Sequence, residues 1–168
     1  MSAPIRGDQA TVSVLVRVEP ARAFAVFTEE IDAWWRRGLK YRIGGGRRGM
    51  LHLEPHVGGR LFESFDTPEG RKVIETGRVT AWDPPRRLVF AWRAANFASS
   101  EKTEVEVRFE PTPSGTLVTV EHRGWSQIRP DHPARHGLEV GPFLRMMGLW
   151  WGDLLSALRE YAEGGGDG

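Results

Sequence analysis

Three alternating runs of residues between Gly58 and Trp92 constrain the fold most. The runs GGRLFESF, VIETGRVTAW and RRLVFAW place apolar or small side chains at every second position, as half-buried antiparallel strands do. Short turns separate the runs, and Asp83-Pro84-Pro85 cannot continue a ladder because neither proline has an N–H to donate. The segment therefore predicts neighbouring antiparallel strands joined by tight turns.

The pattern continues on both sides of this segment and predicts seven strands and two short helices before residue 125. Pro20 suits the first turn of a helix over Ala21–Phe27, and Thr28 is placed to cap a second helix over Glu29–Trp35. Charged residues on one face of the sixth strand indicate a sheet that is covered on one side only. The predicted strands are Thr11–Val18, Met50–Pro55, Arg60–Phe65, Val73–Trp82, Arg87–Arg93, Thr103–Pro111 and Thr116–Gly124.

A long helix is predicted at the C-terminus, because apolar residues recur every three or four positions from Val140 to Tyr161. Some 20 residues at about 1.5 Å each span roughly 30 Å, enough to cross a curved sheet. The sequence thus predicts an α+β helix-grip fold, in which a curved antiparallel sheet of about seven strands wraps around this helix and two short helices follow the first strand. We expect one domain over residues 10–162, with flexible tails at 1–9 and 163–168.

Composition excludes several functions. The 23 Lys and Arg residues balance 22 Asp and Glu residues, which argues against a nucleic-acid binder. The chain has no cysteine, so disulfides, zinc–thiolate sites and cysteine nucleophiles are excluded. It has no apolar run long enough to span a membrane and no signal-peptide core at its start, so we expect a cytoplasmic protein. No cofactor is expected.

Short motifs add a family resemblance. The patterns GGR-L…E from Gly58, G-x-V-x-x-W-x-PP-x-RL from Gly77 and F-x-W from Phe90 resemble the activator of heat-shock chaperone ATPase homologue-like proteins. These belong to the START/birch-pollen-allergen superfamily of helix-grip folds. The resemblance covers roughly residues 10–162 and implies a ligand cavity between the inner sheet face and the last helix. The expected ligand-binding residues are Trp34, Phe65, Trp92, His122, Phe143, Met147, Trp150, Trp151 and Leu154.

His122 is the first candidate for chemistry. It shares the period-two face of Val118 and Val120, which we take as the inner face, and it opens a His-Arg-Gly-Trp pattern that matches the family. It is either a polar anchor or general acid/base in the cavity, or a core histidine that is hydrogen-bonded to its surroundings.

Glu63 and Glu75 on consecutive strands are the candidate carboxylates. If both point inward, one pKa would be raised in an apolar cleft. Alternatively, one of them faces solvent or pairs with an arginine such as Arg78.

Three further patterns leave alternatives open. Gly148 and Gly152 flank a tryptophan pair and indicate either close helix–sheet approach or space for a ligand. The residues between Trp35 and Glu54 carry only positive charges, which indicates either a solvated mobile loop or a cationic lip over the cavity. These cations are Arg36, Arg37, Lys40, Arg42, Arg47 and Arg48.

No metal site is predicted, because the pairs His52/His56 and His132/His136 lack further ligands with suitable spacing.

Three functions fit these observations. The first is a binder of a small, largely apolar molecule, with His122 and one glutamate orienting the ligand. The second is an enzyme of the cyclase or dehydratase kind that uses His122 with Glu63 or Glu75 as acid and base. The third is a co-chaperone-like interaction module, as the family name implies. A homodimer is possible, and we expect neither a nucleic-acid partner nor a membrane span.

Overall fold

The computed structural model describes residues 9–38, 40–42, 49–92, 103–124 and 140–164, without the side chains of 140–143. A strand, two helices, six strands and a long helix follow one another, which confirms the α+β helix-grip prediction. The first strand and last helix extend slightly beyond the expected boundaries of 10 and 162. The elements are β1 Gln9–Val16, α1 Pro20–Glu29, α2 Ile31–Trp34, β2 Gly49–Leu53, β3 Arg60–Thr67, β4 Gly70–Asp83, β5 Arg87–Trp92, β6 Thr103–Thr112, β7 Gly115–Arg123 and α3 Val140–Gly164.

The seven strands form one antiparallel sheet in the order β1-β7-β6-β5-β4-β3-β2. Helix α3 covers its inner face and runs along β1, since Trp151 reaches His122 near one end and Glu163 reaches Arg17 near the other. Each fully buried large apolar side chain in this core contributes roughly 1.5–3 kcal/mol. The core includes Phe90, Val105, Val107, Phe109, Val118, Val120, Trp151, Leu154, Leu155 and Leu158.

The outer face of the sheet carries ion pairs, as the alternation in β6 predicts. Val105 and Val107 are buried on the inner face, while Glu106 between them pairs with Arg87 at 2.5 Å and Arg123 at 2.9 Å. Burial alone would raise the pKa of Glu106, but hydrogen bonds from the two arginines outweigh it and lower that pKa. The outer face is therefore a solvated, charge-paired surface.

A bulge in β4 reverses the predicted alternation. Leu61 pairs with Gly77 but the next residue, Phe62, pairs with Glu75, so Thr76 is an extra residue. Thr76 and Gly77 are consequently both buried. A Cβ at Gly77 would lie 2.5 Å from the carbonyl oxygen of Ala91, so the close approach of β5 requires glycine here.

The helices after β1 differ from the prediction in their boundary. Pro20 does begin α1, but Thr28 lies inside that helix and donates its hydroxyl to the Phe24 carbonyl at 2.8 Å. The expectation that Thr28 caps the second helix was therefore wrong. Helix α2 instead begins after Glu30, whose side chain makes no capping hydrogen bond.

Arg42 holds the short helix α2 in place. Its buried guanidinium donates to the Asp32 carboxylate at 2.6 Å and to the carbonyls of Asp32 and Trp35 at 2.9 and 2.6 Å. Asp32 also accepts the Leu51 N–H at 2.8 Å, which covers part of the free edge of β2. Burial opposes ionisation of Asp32, but these hydrogen bonds prevail and lower its pKa. Arg42, one of the cations between Trp35 and Glu54, thus has a structural role in holding α2.

Candidate functional site

Four tryptophans meet where β5 ends and β6 begins, and we call them the tryptophan cluster: Trp35, Trp92, Trp150 and Trp151. Trp35 follows α2, Trp92 ends β5, and the other two lie on α3. The Trp35 ring centroid lies 6.1 Å from that of Trp92, 5.9 Å from that of Trp150 and 5.7 Å from that of Trp151. Trp92 and Trp150 are also in edge contact, with centroids 6.0 Å apart. Three separate elements therefore build one aromatic wall.

Hydrogen bonds fix the orientation of three of these indoles. Trp35 donates to the Tyr41 carbonyl at 3.1 Å, Trp150 to the Lys40 carbonyl at 2.8 Å, and Trp151 to His122 Nδ1 at 3.1 Å. Trp35 and Trp151 are buried, whereas Trp92 and Trp150 are only half-buried. The cluster thus has a rigid, buried base and two aromatic side chains that remain partly accessible.

His122 is fully buried behind this wall, which confirms its inward orientation. The indole of Trp151 can only donate, so Nδ1 of His122 accepts and Nε2 carries the proton. Nε2 lies 2.7 Å from the Thr103 hydroxyl, which in turn donates to the Trp92 carbonyl at 3.3 Å. Burial lowers the pKa of His122 to about 3. His122 is therefore a neutral link between α3, β6 and β5, and any proton transfer to a ligand would first break one of these bonds.

The two candidate carboxylates do not converge. Glu63 is buried on the inner face with Leu61 and Phe65, as the alternation predicted. Glu75 lies on the outer face, where it pairs with Arg78 at 2.6 Å, because the β4 bulge reverses its parity. Of the two alternatives for these carboxylates, the one with two inward side chains is therefore wrong, and the pairing of one of them with Arg78 is confirmed.

Glu63 and His122 are also separated within the sheet, since strands β4, β5 and β6 lie between their strands. Glu63 therefore does not lie on a strand that neighbours the strand of His122.

The other expected wall residues divide into core and cluster. Met147 and Leu154 are buried on the face of α3 that packs against the sheet, and Phe65 is buried on β3. Trp34 packs on Phe27 with ring centroids 5.0 Å apart and donates its N–H to the Val26 carbonyl at 3.0 Å. The side chain of Phe143 lies outside the described residues. The cavity beneath α3 that these residues would line stays a prediction.

The glycines of α3 do not mark a close helix–sheet contact. A Cβ built at Gly148 or Gly152 would meet no atom within 4 Å among the described residues. Among the described residues, the alternative in which these glycines let the helix approach the sheet is therefore wrong, and the alternative of space for a ligand stays a prediction.

An open, polar groove borders the tryptophan cluster. It has a volume of about 570 Å³ and is lined by Arg36, Arg37, Tyr41 and Asp153. The Tyr41 ring stacks on Trp150 at 5.8 Å, while its hydroxyl donates to the Asp153 carboxylate at 3.0 Å. The sequence indicated this region only through the alternative of a cationic lip, which included Arg36 and Arg37. It did not indicate that Tyr41 and Asp153 lie beside these arginines.

No group of three or more potential metal-binding side chains is found among the residues that the structure describes. His52 stacks on Phe62 and contacts the Ser64 hydroxyl at 3.2 Å, and His56 contacts the Val57 carbonyl at 3.0 Å. The residues His132, His136, Arg47 and Arg48 lie outside the described residues.

Among the residues that the structure describes, no helix is both long and apolar enough to cross a membrane.

Solved structures with similar folds support this architecture. The Aha1 dimer from Colwellia psychrerythraea is 18% identical, with a TM-score of 0.62 over 94% of this chain and 97% of that one. A protein of unknown function, SA2116 from Staphylococcus aureus, is 13% identical, with a TM-score of 0.67 over 95% and 96% of the two chains. CalU16 from Micromonospora echinospora is 17% identical, with a TM-score of 0.58 over 93% of this chain and 74% of its own. At these identities the likeness establishes the fold alone.

No curated protein matches the sequence significantly. The family described as Activator of Hsp90 ATPase homolog 1-like protein matches residues 17–163, which span both α1 and α3 and all strands but β1. The match includes the motifs at Gly58, Gly77 and Phe90 that carry the resemblance. The chain therefore belongs to the family of Activator of Hsp90 ATPase homolog 1-like proteins, within the helix-grip superfamily.

Proposed function

We propose that the protein binds a small, largely apolar molecule with an aromatic ring against the tryptophan cluster. The observation that carries this proposal is the partial exposure of Trp92 and Trp150 beside indoles that are buried and hydrogen-bonded. Aromatic side chains with one accessible face are typical of sites for flat apolar ligands. The cytoplasmic location expected from the sequence and a chaperone partner both stay predictions.

The geometry favours binding because the wall is preorganised. Trp150 is held by a hydrogen bond to Lys40 and by ring contacts with Trp35, Trp92 and Tyr41. Little side-chain entropy is then lost when a ligand docks. Aromatic pairs contribute about 0.5–1.5 kcal/mol each beyond the area they bury, so two such contacts give an appreciable share of micromolar affinity.

A titration with the neutral dye N-phenyl-1-naphthylamine tests the proposal. The dye should bind the wild-type protein with increased fluorescence, and Trp92→Leu should weaken binding at least about tenfold, or 1.4 kcal/mol. Trp82→Leu is the matched control. Trp82 is also half-buried, but it packs on Phe24 near the C-terminal end of β4, away from the tryptophan cluster. The proposal fails if the dye does not bind, or if the two variants weaken binding equally.

An acid–base enzyme is a weaker candidate. His122 is neutral, with both ring nitrogens engaged, and Glu75 lies on the outer face. These contacts favour a structural role for the histidine over proton transfer.

We also propose that the protein self-associates through the exposed face of α3. Leu149 is 75% exposed there. It belongs to a stripe of residues spaced alternately by four and three positions, which places them along one face of the helix. The stripe consists of Arg145, Leu149, Gly152, Ser156, Arg159 and Glu163.

Antiparallel pairing of two copies makes this stripe self-complementary. Arg145 then faces Glu163 of the second copy, Gly152 faces Ser156, and Leu149 packs on the aliphatic stem of Arg159. Light scattering over a concentration series should show a dimer that Leu149→Arg abolishes. Val57→Arg should leave it intact, because Val57 is similarly exposed at 62% but lies before β3. A monomer at all concentrations would contradict the proposal.

A further inference from the structure

The groove beside the tryptophan cluster continues the proposed binding surface. Tyr41 is the shared wall, because its ring stacks on Trp150 at 5.8 Å and its hydroxyl reaches Asp153 inside the groove. Trp150 in turn contacts Trp92. A molecule that lies on the half-buried indoles can therefore place a second group in the groove one ring away.

The charges around this groove are unbalanced. Two cations, Arg36 and Arg37, and one carboxylate, Asp153, line it. Asp32 is already paired with Arg42 at 2.6 Å and Arg37 at 3.3 Å. Asp153 lies 3.7 Å from Lys40 and accepts the Tyr41 hydroxyl. The remaining cation, Arg36, forms no ion pair with any carboxylate among the described residues.

Arg36 is nevertheless held in position. Its Nε donates to the Asp153 carbonyl at 3.0 Å, which fixes the guanidinium against α3 as it lines the groove. A guanidinium that is anchored through Nε presents its terminal N–H groups as a fork, which matches the two oxygens of a carboxylate, sulfonate or phosphate. A neutral ligand would form no ion pair with this guanidinium.

We propose that the ligand is an anionic amphiphile, with its aromatic body on Trp92 and Trp150 and one anionic group against Arg36. This inference rests on the proposed function, because it assumes that the tryptophan cluster is the ligand site. It adds the chemical class, a small aromatic acid rather than a neutral hydrocarbon.

Two dyes with the same ring system separate the two proposals. 8-Anilinonaphthalene-1-sulfonate carries one sulfonate, and N-phenyl-1-naphthylamine is its neutral counterpart. At low salt the sulfonate should bind at least about tenfold more tightly than the neutral dye, since an exposed charge is weakly screened there. Arg36→Gln should remove this preference and leave the affinity for the neutral dye unchanged, while Arg36→Lys should retain part of it.

Arg86→Gln is the matched control, because Arg86 lies in the turn between β4 and β5 and pairs with Asp83 there. It should retain the full preference. If both dyes bind equally to the wild-type protein, or if Arg36→Gln and Arg86→Gln affect the sulfonate equally, the anionic class is wrong while the tryptophan site stands. If neither dye binds, both proposals fail.

Discussion

Lowering the pH from 7 to 5 should destabilise the protein through His122. Burial lowers the pKa of this histidine to about 3 in the folded state, whereas an unfolded chain has an imidazole pKa near 6.5. Below about pH 6.5 the imidazole of His122 therefore becomes protonated in the unfolded state but stays neutral in the folded state. Folding stability is unaffected by this group above pH 7 and falls as the pH drops from 6.5 toward 3.

The expected loss follows from the distance between the two pKa values. Each pH unit in this window costs about 1.4 kcal/mol, so the loss is about 2 kcal/mol at pH 5. That is a large share of a typical stability of roughly 5–15 kcal/mol. The lowered pKa values of Asp32 and Glu106 remove stability mainly below pH 5, because unfolded Asp and Glu side chains have pKa values of about 3.9 and about 4.3.

Urea unfolding at pH 7 and pH 5 measures this effect. His122→Gln is the test variant, because its amide does not titrate yet can still accept from Trp151 and donate to Thr103. Its loss of stability between the two pH values should be smaller than that of the wild type by about 2 kcal/mol. Equal pH dependence in wild type and His122→Gln would refute the reasoning.

Three substitutions test other parts of the fold by urea unfolding. Gly77→Ala should destabilise by about 1–3 kcal/mol, because its Cβ would lie 2.5 Å from the Ala91 carbonyl; an unchanged midpoint would contradict the tight β4–β5 approach. Gly148→Ala should instead stabilise by up to about 1 kcal/mol, since the new methyl group lies in a helix interior and meets no described atom within 4 Å; a loss would indicate a contact there. Arg42→Met should cost about 2–3 kcal/mol, because the Asp32 carboxylate loses its shortest ion pair and three backbone carbonyls lose their donor; a neutral effect would show that α2 is held otherwise.

Strand alternation and helix periodicity predicted much of the fold because each reports burial along one element. The inward orientation of His122 followed from its parity with Val118 and Val120, and that strand has no register shift against β6. The orientation of Glu75 could not be predicted in the same way. The extra residue Thr76 becomes visible only in the pairing of β4 with β3, and alternation in a single strand carries no information on that pairing.

The site was harder to predict because it depends on contacts between distant segments. Trp92, Trp150 and Trp151 were predicted individually, whereas Trp35 and Tyr41 were not. The stacking of Tyr41 on Trp150 joins residues more than a hundred positions apart. Likewise, Arg42 reads as an exposed loop cation in the sequence, while its burial depends on a pocket of carbonyls formed at the end of α2. Such polar contacts follow no local period.

The most direct test of the tryptophan site is a nitrogen–proton correlation spectrum recorded during titration with N-phenyl-1-naphthylamine. The chain has seven tryptophans, so seven indole N–H signals can be assigned by single substitution. Binding at the cluster should shift the signals of Trp92 and Trp150 most and leave that of Trp82 in place. A titration that shifts Trp82 instead, or that moves none of the seven signals, would contradict the account.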